Sequence, residues 1–323
     1  MSSNNLYPDA IVVDGHCDTL GDVLEGKRTL AERSTQGHVD LPRLAAGGVT
    51  AQIFACFVPI HEYHRGATRY ALHMVDTLHQ ALEAHPEQLL LAARAADIRR
   101  AKAEGKVAAI LGLEGAEPLR DSLPLLRSFY RLGVRVLGLT WNFRNEVADG
   151  VMQGREAHGL SPFGVQVVEE CNRLGVLIDV SHLAPAGLED VLRVSQQPVI
   201  ASHSNARALC DHPRNLTDVQ IEAIAARGGL VGVTFVDSFL HQPASEASIE
   251  HVLDHVDHLL RVAGPHHVMV GSDFDGADMP QGLEDATRYP ALTAGMLARG
   301  HSETVIRGVL GLNFLRVFEQ VAG

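Results

Sequence analysis

Cysteine is scarce in this chain of 323 residues, tryptophan occurs once, and no apolar run approaches bilayer length. The four cysteines, Cys17, Cys56, Cys171 and Cys210, have no paired spacing. That excludes a Cys-x-x-Cys motif and a disulfide framework, and it fits reduced thiols in a cytoplasmic protein. Positive charge is in deficit: the net charge of -12 argues against nucleic acid or an anionic membrane as partner. The N-terminal residues Met1 to Tyr7 contain neither a basic segment nor an apolar one, so no secretory signal is expected. No Pro/Gly/Ser-rich linker or low-complexity tract divides the sequence, and one domain over residues 1–323 is expected. A Gly-rich phosphate loop is also missing, because the first apolar run leads into Gly15-His16-Cys17-Asp18.

What is present is ordinary globular material, 46% hydrophobic and 20% charged. Eight short apolar, β-branched runs recur: 10–13, 50–58, 107–113, 135–140, 176–180, 198–202, 230–235 and 267–272. Several are continuously apolar, as strands covered on both faces are. Segments with helical spacing separate them, at 67–84, 122–132, 164–174, 186–195, 217–227 and 249–262. Thr217-Asp218 reads as a capped start and Gly228-Gly229 as a stop. Eight βα units over this length predict an α/β fold, a (β/α)8 TIM barrel, with an open doubly wound sheet as the alternative.

In such barrels the active site lies at the carboxyl ends of the strands. His16 and Asp18 end the first run, Glu114 the third, His182 the fifth, His203 the sixth and Asp273 the eighth. Burying three imidazoles and three carboxylates together without a cation is costly, so the pattern predicts a metal centre. The count suits two ions, with His16, Asp18 and Glu114 around one and Glu114, His182 and His203 around the other. Bridged ions can hold a hydroxide nucleophile and lower its pKa. Asp273 is then left to carry the proton to the leaving nitrogen. His266 and His267 precede the last run and belong to the opposite end of the barrel. His251, His255 and His258 have helical spacing and are expected on a solvated helix face.

These residues form motifs that resemble the renal or membrane dipeptidases, peptidase family M19 of the amidohydrolase superfamily. The motifs are Asp14-Gly15-His16-Cys17-Asp18, Leu113-Glu114-Gly115, Asp179-Val180-Ser181-His182, Ser202-His203-Ser204-Asn205, Pro213-Arg214-Asn215-Leu216 and Gly271-Ser272-Asp273-Phe274-Asp275-Gly276. The resemblance implies a zinc-dependent dipeptidase with two Zn2+ per chain, another divalent metal being possible. It implies His16, Asp18, Glu114, His182 and His203 as ligands, with Glu114 bridging, and Asp273 as acid/base. It also implies that Arg214 grips the carboxylate of a small peptide substrate, L-Xaa-D-Xaa dipeptides being the first class to try, and that a homodimer is possible. Read without the resemblance, Arg214 is a loop residue able to pair with Asp211. The chain departs from the family at Trp141, where many members carry a histidine, and Asn142, Arg144 or the metals alone are the candidates to polarise the carbonyl. The rival readings are another amide or lactone hydrolase of the superfamily and a non-catalytic metal-binding barrel. Arg135 to Thr140 offers no lysine for carboxylation and the first motif is His-x-Asp rather than His-x-His, which favours the peptidase.

Overall fold

The computed structural model describes residues 7–63 and 66–323. Nine strands form one sheet: β1 (Val13–Cys17), β2 (Ala51–Phe57), β3 (Leu89–Leu91), β4 (Val107–Glu114), β5 (Val134–Gly138), β6 (Leu177–Asp179), β7 (Ile200–Ala201), β8 (Leu230–Val233) and β9 (Val268–Val270). All pairings are parallel, and pairing of β1 with both β2 and β9 and of β2 with β4 closes eight of the strands into a barrel. The predicted runs correspond to β1, β2 and β4 to β9, the first lying later than expected: β1 shares only Val13 with the run at 10–13. The ninth strand, β3, was not anticipated; it pairs with the first half of β4, below the point where β5 joins.

Helices cover the outside, as continuously apolar strands require. Residues 67–84 are helical over the predicted span. The predicted 217–227 helix runs Asp218–Ala226, where Thr217 and Gln220 form a reciprocal capping box and Gly228 at φ 77° follows the end. Inside the barrel, Val13, Ile53, Ile110, Val136, Leu177, Ile200, Leu230 and Met269 form a core of their own. Its lower end is closed by helix Asn313–Ala322, which contributes Phe314 and Phe318, stacked at 5.3 Å. Among the described residues no helix is long and apolar enough to cross a membrane.

Strand alternation explains how the polar residues reach the axis. On β4, Ala108 and Ile110 point inward while Ala109, Leu111 and Leu113 point outward, so Glu114 continues the inward row. On β1 alternation is broken. Val13 belongs to the inner core and Cys17 to the outer one, although they are four residues apart. The register shifts between Asp14 and Cys17, and this irregularity turns His16 toward the axis.

Beneath the rim the strands approach backbone to backbone. An added Cβ would lie 1.9 Å from the Ser202 carbonyl oxygen at Gly232 and 1.8 Å from it at Gly271. Gly271→Ala is therefore expected to cost on the order of 3 kcal/mol and to weaken metal binding, since Ser202 adjoins His203. Gly66→Ala, with nothing within 4 Å of the new Cβ, serves as the control. Chemical denaturation and metal titration of both variants check this, and equal effects would refute it.

Glu117 is a second support. Its carboxyl fills the space beside Gly115, which has φ 84°, and faces the Trp141 amide and the Asn145 side chain. Burial pushes its pKa up from 4.5 to about 7. The unfolded chain thus gives up this proton at lower pH than the folded one, and stability falls as pH rises from 4.5 through 7, by about 3 kcal/mol in all. Glu117→Gln should gain on the wild type by that amount between pH 5 and pH 8 in denaturation experiments. A pH-independent difference would mean the group is ionised in the fold.

Candidate metal centre

The ends of β1, β4, β6, β7 and β9 bring His16, Asp18, Glu114, His182, His203 and Asp273 together at the upper rim of the barrel. His16 Nε2 lies 3.5 Å from Asp18 Oδ2, 3.4 Å from Glu114 Oε2 and 3.9 Å from Asp273 Oδ1. The other oxygen of Glu114, Oε1, lies 2.9 Å from His182 Nε2 and 3.8 Å from His203 Nε2. Glu114 thus turns one oxygen to His16 and the other to the two later histidines. Potential ligand atoms of His16, Glu114 and His203, and of His16, Asp18 and Asp273, lie within 4.8 Å of one another.

The imidazoles are oriented from behind. Asn142 Oδ1 is 2.8 Å from His182 Nδ1, so the proton belongs on Nδ1 and Nε2 is bare. Ser202 Oγ lies 2.7 Å from His203 Nδ1 and donates to Asp179, which also accepts from the Ser181 and Ser202 amides. The same logic leaves Nε2 of His203 bare. The two bare nitrogens sit 2.9 Å apart with Glu114 beside them. Two lone pairs and a carboxylate at that spacing repel unless a cation lies among them. His16 Nε2 and Asp18 Oδ1 are buried without a hydrogen-bond partner among the described residues. The donor set therefore fits divalent metal, and imidazole with carboxylate suits zinc among other ions.

Proton affinities at the rim register the same conflict. Burial depresses His16, but Glu114 and Asp18 outweigh it and hold the imidazole well above its ordinary value. Burial raises Glu114, yet His16 and His182 hold it well below the usual carboxylate range. Asp18 is pushed well up by burial and by Glu114, and Asp273 is raised chiefly by burial. Burial, with Arg214 next, brings His182 down to about 4, and burial and His16 take His203 well below its ordinary value. Backbone strain gathers here too: His182, Asp273 and Asp275 have φ of 67°, 66° and 69°.

A cavity of about 530 Å3 opens above the cluster, walled by Phe57, Trp141, Met152, Arg214 and Phe239. Arg214 is 5% exposed and makes no ion pair among the described residues; its Nη2 donates to the His203 carbonyl and its Nε has no partner. Asp211 pairs with Arg207 instead. Trp141 packs on Phe57 and Phe143, with ring centres 5.2 and 5.9 Å away. Arg144 binds Asp149 through Nε and Nη2, and the oxygen of Asn142 faces His182.

Two readings need correction or addition. His255 and His258 are buried, not solvated: His255 Nδ1 accepts from the Ala206 amide, and His258 pairs with Asp218 at 2.7 Å. The apolar spacing of their helix gave no sign that two of its histidines face inward. Asp14 and Asp179, unassigned from sequence, anchor the rim. Asp14 accepts from the His16 and Ser272 amides and the Ser272 hydroxyl, as Asp179 does from Ser181 and Ser202. The recurring Asp followed by Ser or His two residues later was the available signal.

A family profile described as membrane dipeptidase (peptidase family M19) matches residues 2–323. Dipeptidase 3 of Mus musculus is 38% identical over 327 residues, covering 98% of this chain and 65% of its own; the chain thus spans about two thirds of that relative's length. A metallo peptidase from Rhodobacter sphaeroides, solved with a phosphinate mimic of the dipeptide L-Ala-D-Ala, superposes with a TM-score of 0.91 at 36% identity, over 97% of this chain and 99% of that one. A dipeptidase AC of family M19 gives a TM-score of 0.92 at 36% identity, over 98% and 99%. A barrel whose rim gathers these imidazoles and carboxylates, together with likeness along nearly its full length, makes the chain a member of the membrane dipeptidase family, peptidase family M19.

Proposed function

We propose that the chain is a metal-dependent dipeptidase that hydrolyses short peptides, L-Xaa-D-Xaa dipeptides in the first place. The observation that carries this is the orientation of Glu114, with one oxygen toward His16 and the other toward His182 and His203, beneath a cavity with a buried, anion-free Arg214 in its wall. The ligand of the Rhodobacter sphaeroides structure supports the L,D class. His16, Asp18, Glu114, His182 and His203 would hold two divalent ions, zinc by ligand type. Bound there, they supply Lewis acidity and lower the pKa of water toward neutrality.

The remaining steps belong to the chain's own side chains. A buried guanidinium without a counter-ion is a costly arrangement, and the carboxylate of a bound dipeptide relieves it through a bidentate pair. Phe239, 5.6 Å from the guanidinium, backs it. Asp273, raised by burial and 3.9 Å from His16 Nε2, is placed to take a proton from the attacking water and return it to the leaving amine. Trp141, Phe57 and Met152 exclude bulk water from the scissile bond. The four cysteines are buried and unpaired, which supports a reducing, cytoplasmic setting.

The purified chain should hydrolyse L-Ala-D-Ala, lose activity to a chelator and regain it with zinc. Turnover of a lactone with no dipeptide hydrolysed would favour the other hydrolase reading, and bound metal with no turnover of any amide the non-catalytic one. Asp273→Asn is expected to keep its metal while kcat falls roughly 10²- to 10⁴-fold. Arg214→Ala should lose about 2 to 3 kcal/mol of dipeptide binding, roughly 30- to 150-fold in KM, with little change for C-terminally amidated analogues. An equal loss for both substrates would remove Arg214 from carboxylate recognition.

A further inference from the structure

In the closed ring of strands, β2 and β7 stand diametrically opposite, four steps apart either way round. Arg214 lies in the segment that follows β7, and Phe57 is the last residue of β2. On the β2 side the lining of the mouth is apolar and aromatic: Phe57 and Pro59, Tyr70 on the helix 67–84, and Trp141 and Met152 from the segment after β5. The Trp141 ring centre lies 5.2 Å from that of Phe57 and 6.1 Å from that of His182, so the indole runs from the rim cluster to the β2 wall. Met152 is 49% exposed, and Phe57 and Trp141 are only part-buried. Apolar surface left open in a concave site marks where an apolar group of a ligand binds. The charged residues Asp22, Glu25 and Lys27 of the mouth belong to the segment after β1, where Lys27 pairs with both carboxylates.

The geometry of a dipeptide meets this division of the mouth. Its two Cα atoms stand about 3.8 Å apart across a planar bond. With its carboxylate on Arg214 and its peptide bond over the rim cluster, the amino-terminal residue is carried away from β7 and toward β2. Its side chain then meets Trp141 and Phe57, and its ammonium faces the acidic segment after β1. The side chain of the carboxyl-terminal residue meets His212, Val236 and Phe239 instead.

We propose that Trp141, backed by Phe57 and flanked by Met152, is the specificity-determining wall for the amino-terminal side chain, and that the preferred substrates carry a large apolar or aromatic L-residue there. The inference rests on the dipeptidase reading, with Arg214 as the anchor of the carboxylate. A phenyl or isobutyl group covers ring surface that the methyl of alanine leaves wet. A charged side chain in the same place loses water and finds no partner on the wall. Differential contact with an apolar wall of this kind is worth roughly 10- to 200-fold in kcat/KM.

The test compares L-Phe-D-Ala, L-Leu-D-Ala, L-Ala-D-Ala and L-Glu-D-Ala as substrates of the zinc-loaded protein. From L-Ala-D-Ala to the phenyl and isobutyl substrates kcat/KM should rise roughly 10- to 200-fold, mostly through KM, and it should be lowest for L-Glu-D-Ala. Trp141→Ala should cut the ratio of L-Phe-D-Ala to L-Ala-D-Ala to about threefold or less, while L-Ala-D-Phe changes in step with L-Ala-D-Ala. Trp141→Phe, which keeps an aromatic face, should retain most of the ratio. Trp141 is the only tryptophan of the chain, so the emission of the unmodified protein reports on this wall directly. The phosphinate mimic of L-Phe-D-Ala should bind about tenfold more tightly than that of L-Ala-D-Ala and move the emission further to shorter wavelength. Equal kcat/KM for L-Phe-D-Ala and L-Ala-D-Ala, equal losses for L-Phe-D-Ala and L-Ala-D-Phe in Trp141→Ala, or emission that does not distinguish the two mimics would overturn the inference and leave the dipeptidase reading standing. No hydrolysis of any dipeptide, with the phenyl mimic still preferred, would count against the dipeptidase reading and not against the wall.

Discussion

Two bare imidazole nitrogens lie 2.9 Å apart, with a carboxylate oxygen 2.9 Å from one of them, and the rest of the rim is arranged around that contact. The three rim histidines and three carboxylates are crowded together away from water, and their proton affinities are displaced in opposite directions. The surrounding fold holds these groups in place instead of relaxing the conflict. Asp14 and Asp179 gather backbone amides and serine hydroxyls, and Asn142 and Ser202 fix the ring tautomers. The metal-binding character of the rim follows from a scaffold that keeps mutually repelling donors converged.

The same reasoning extends to Arg214. A buried cation is usually neutralised, and this chain does pair most of its buried arginines: Arg28 with Asp275 and Arg43 with Asp40. Arg214 departs from that pattern although Asp211 lies three residues away and Glu114 and Asp273 bear on it from a distance. Under the proposed function, this unpaired cation held under the rim is the position for the carboxylate of the substrate.

Much of the barrel could be read from composition and spacing, because a doubly covered parallel strand announces itself as an unbroken apolar run. The six rim residues were legible for a related reason: each is an ionisable side chain within five residues after such a run, where burial is otherwise hard to explain. The features that escaped are those set by distant partners. β3 is three residues long and exists because the first half of β4 has a free edge. The inward turn of His16 comes from a register shift against β2, which alternation within one strand does not reveal. His255 and His258 look like surface residues on a helical wheel, and their burial depends on where the segments around Leu240 and Asp218 pack. Arg144 was a plausible donor by position, and only the fold shows both its arms held by Asp149.

The close approach of Gly232 and Gly271 to the Ser202 carbonyl, over an apolar plug of Phe314 and Phe318, has a bearing on traffic through the molecule. With the shaft stopped from below by main chain and phenyl rings, neither solvent nor solute passes along the barrel axis. Under the proposed hydrolysis, water and peptide fragments would move through the loop-covered end, where the loop walls line the way in and out.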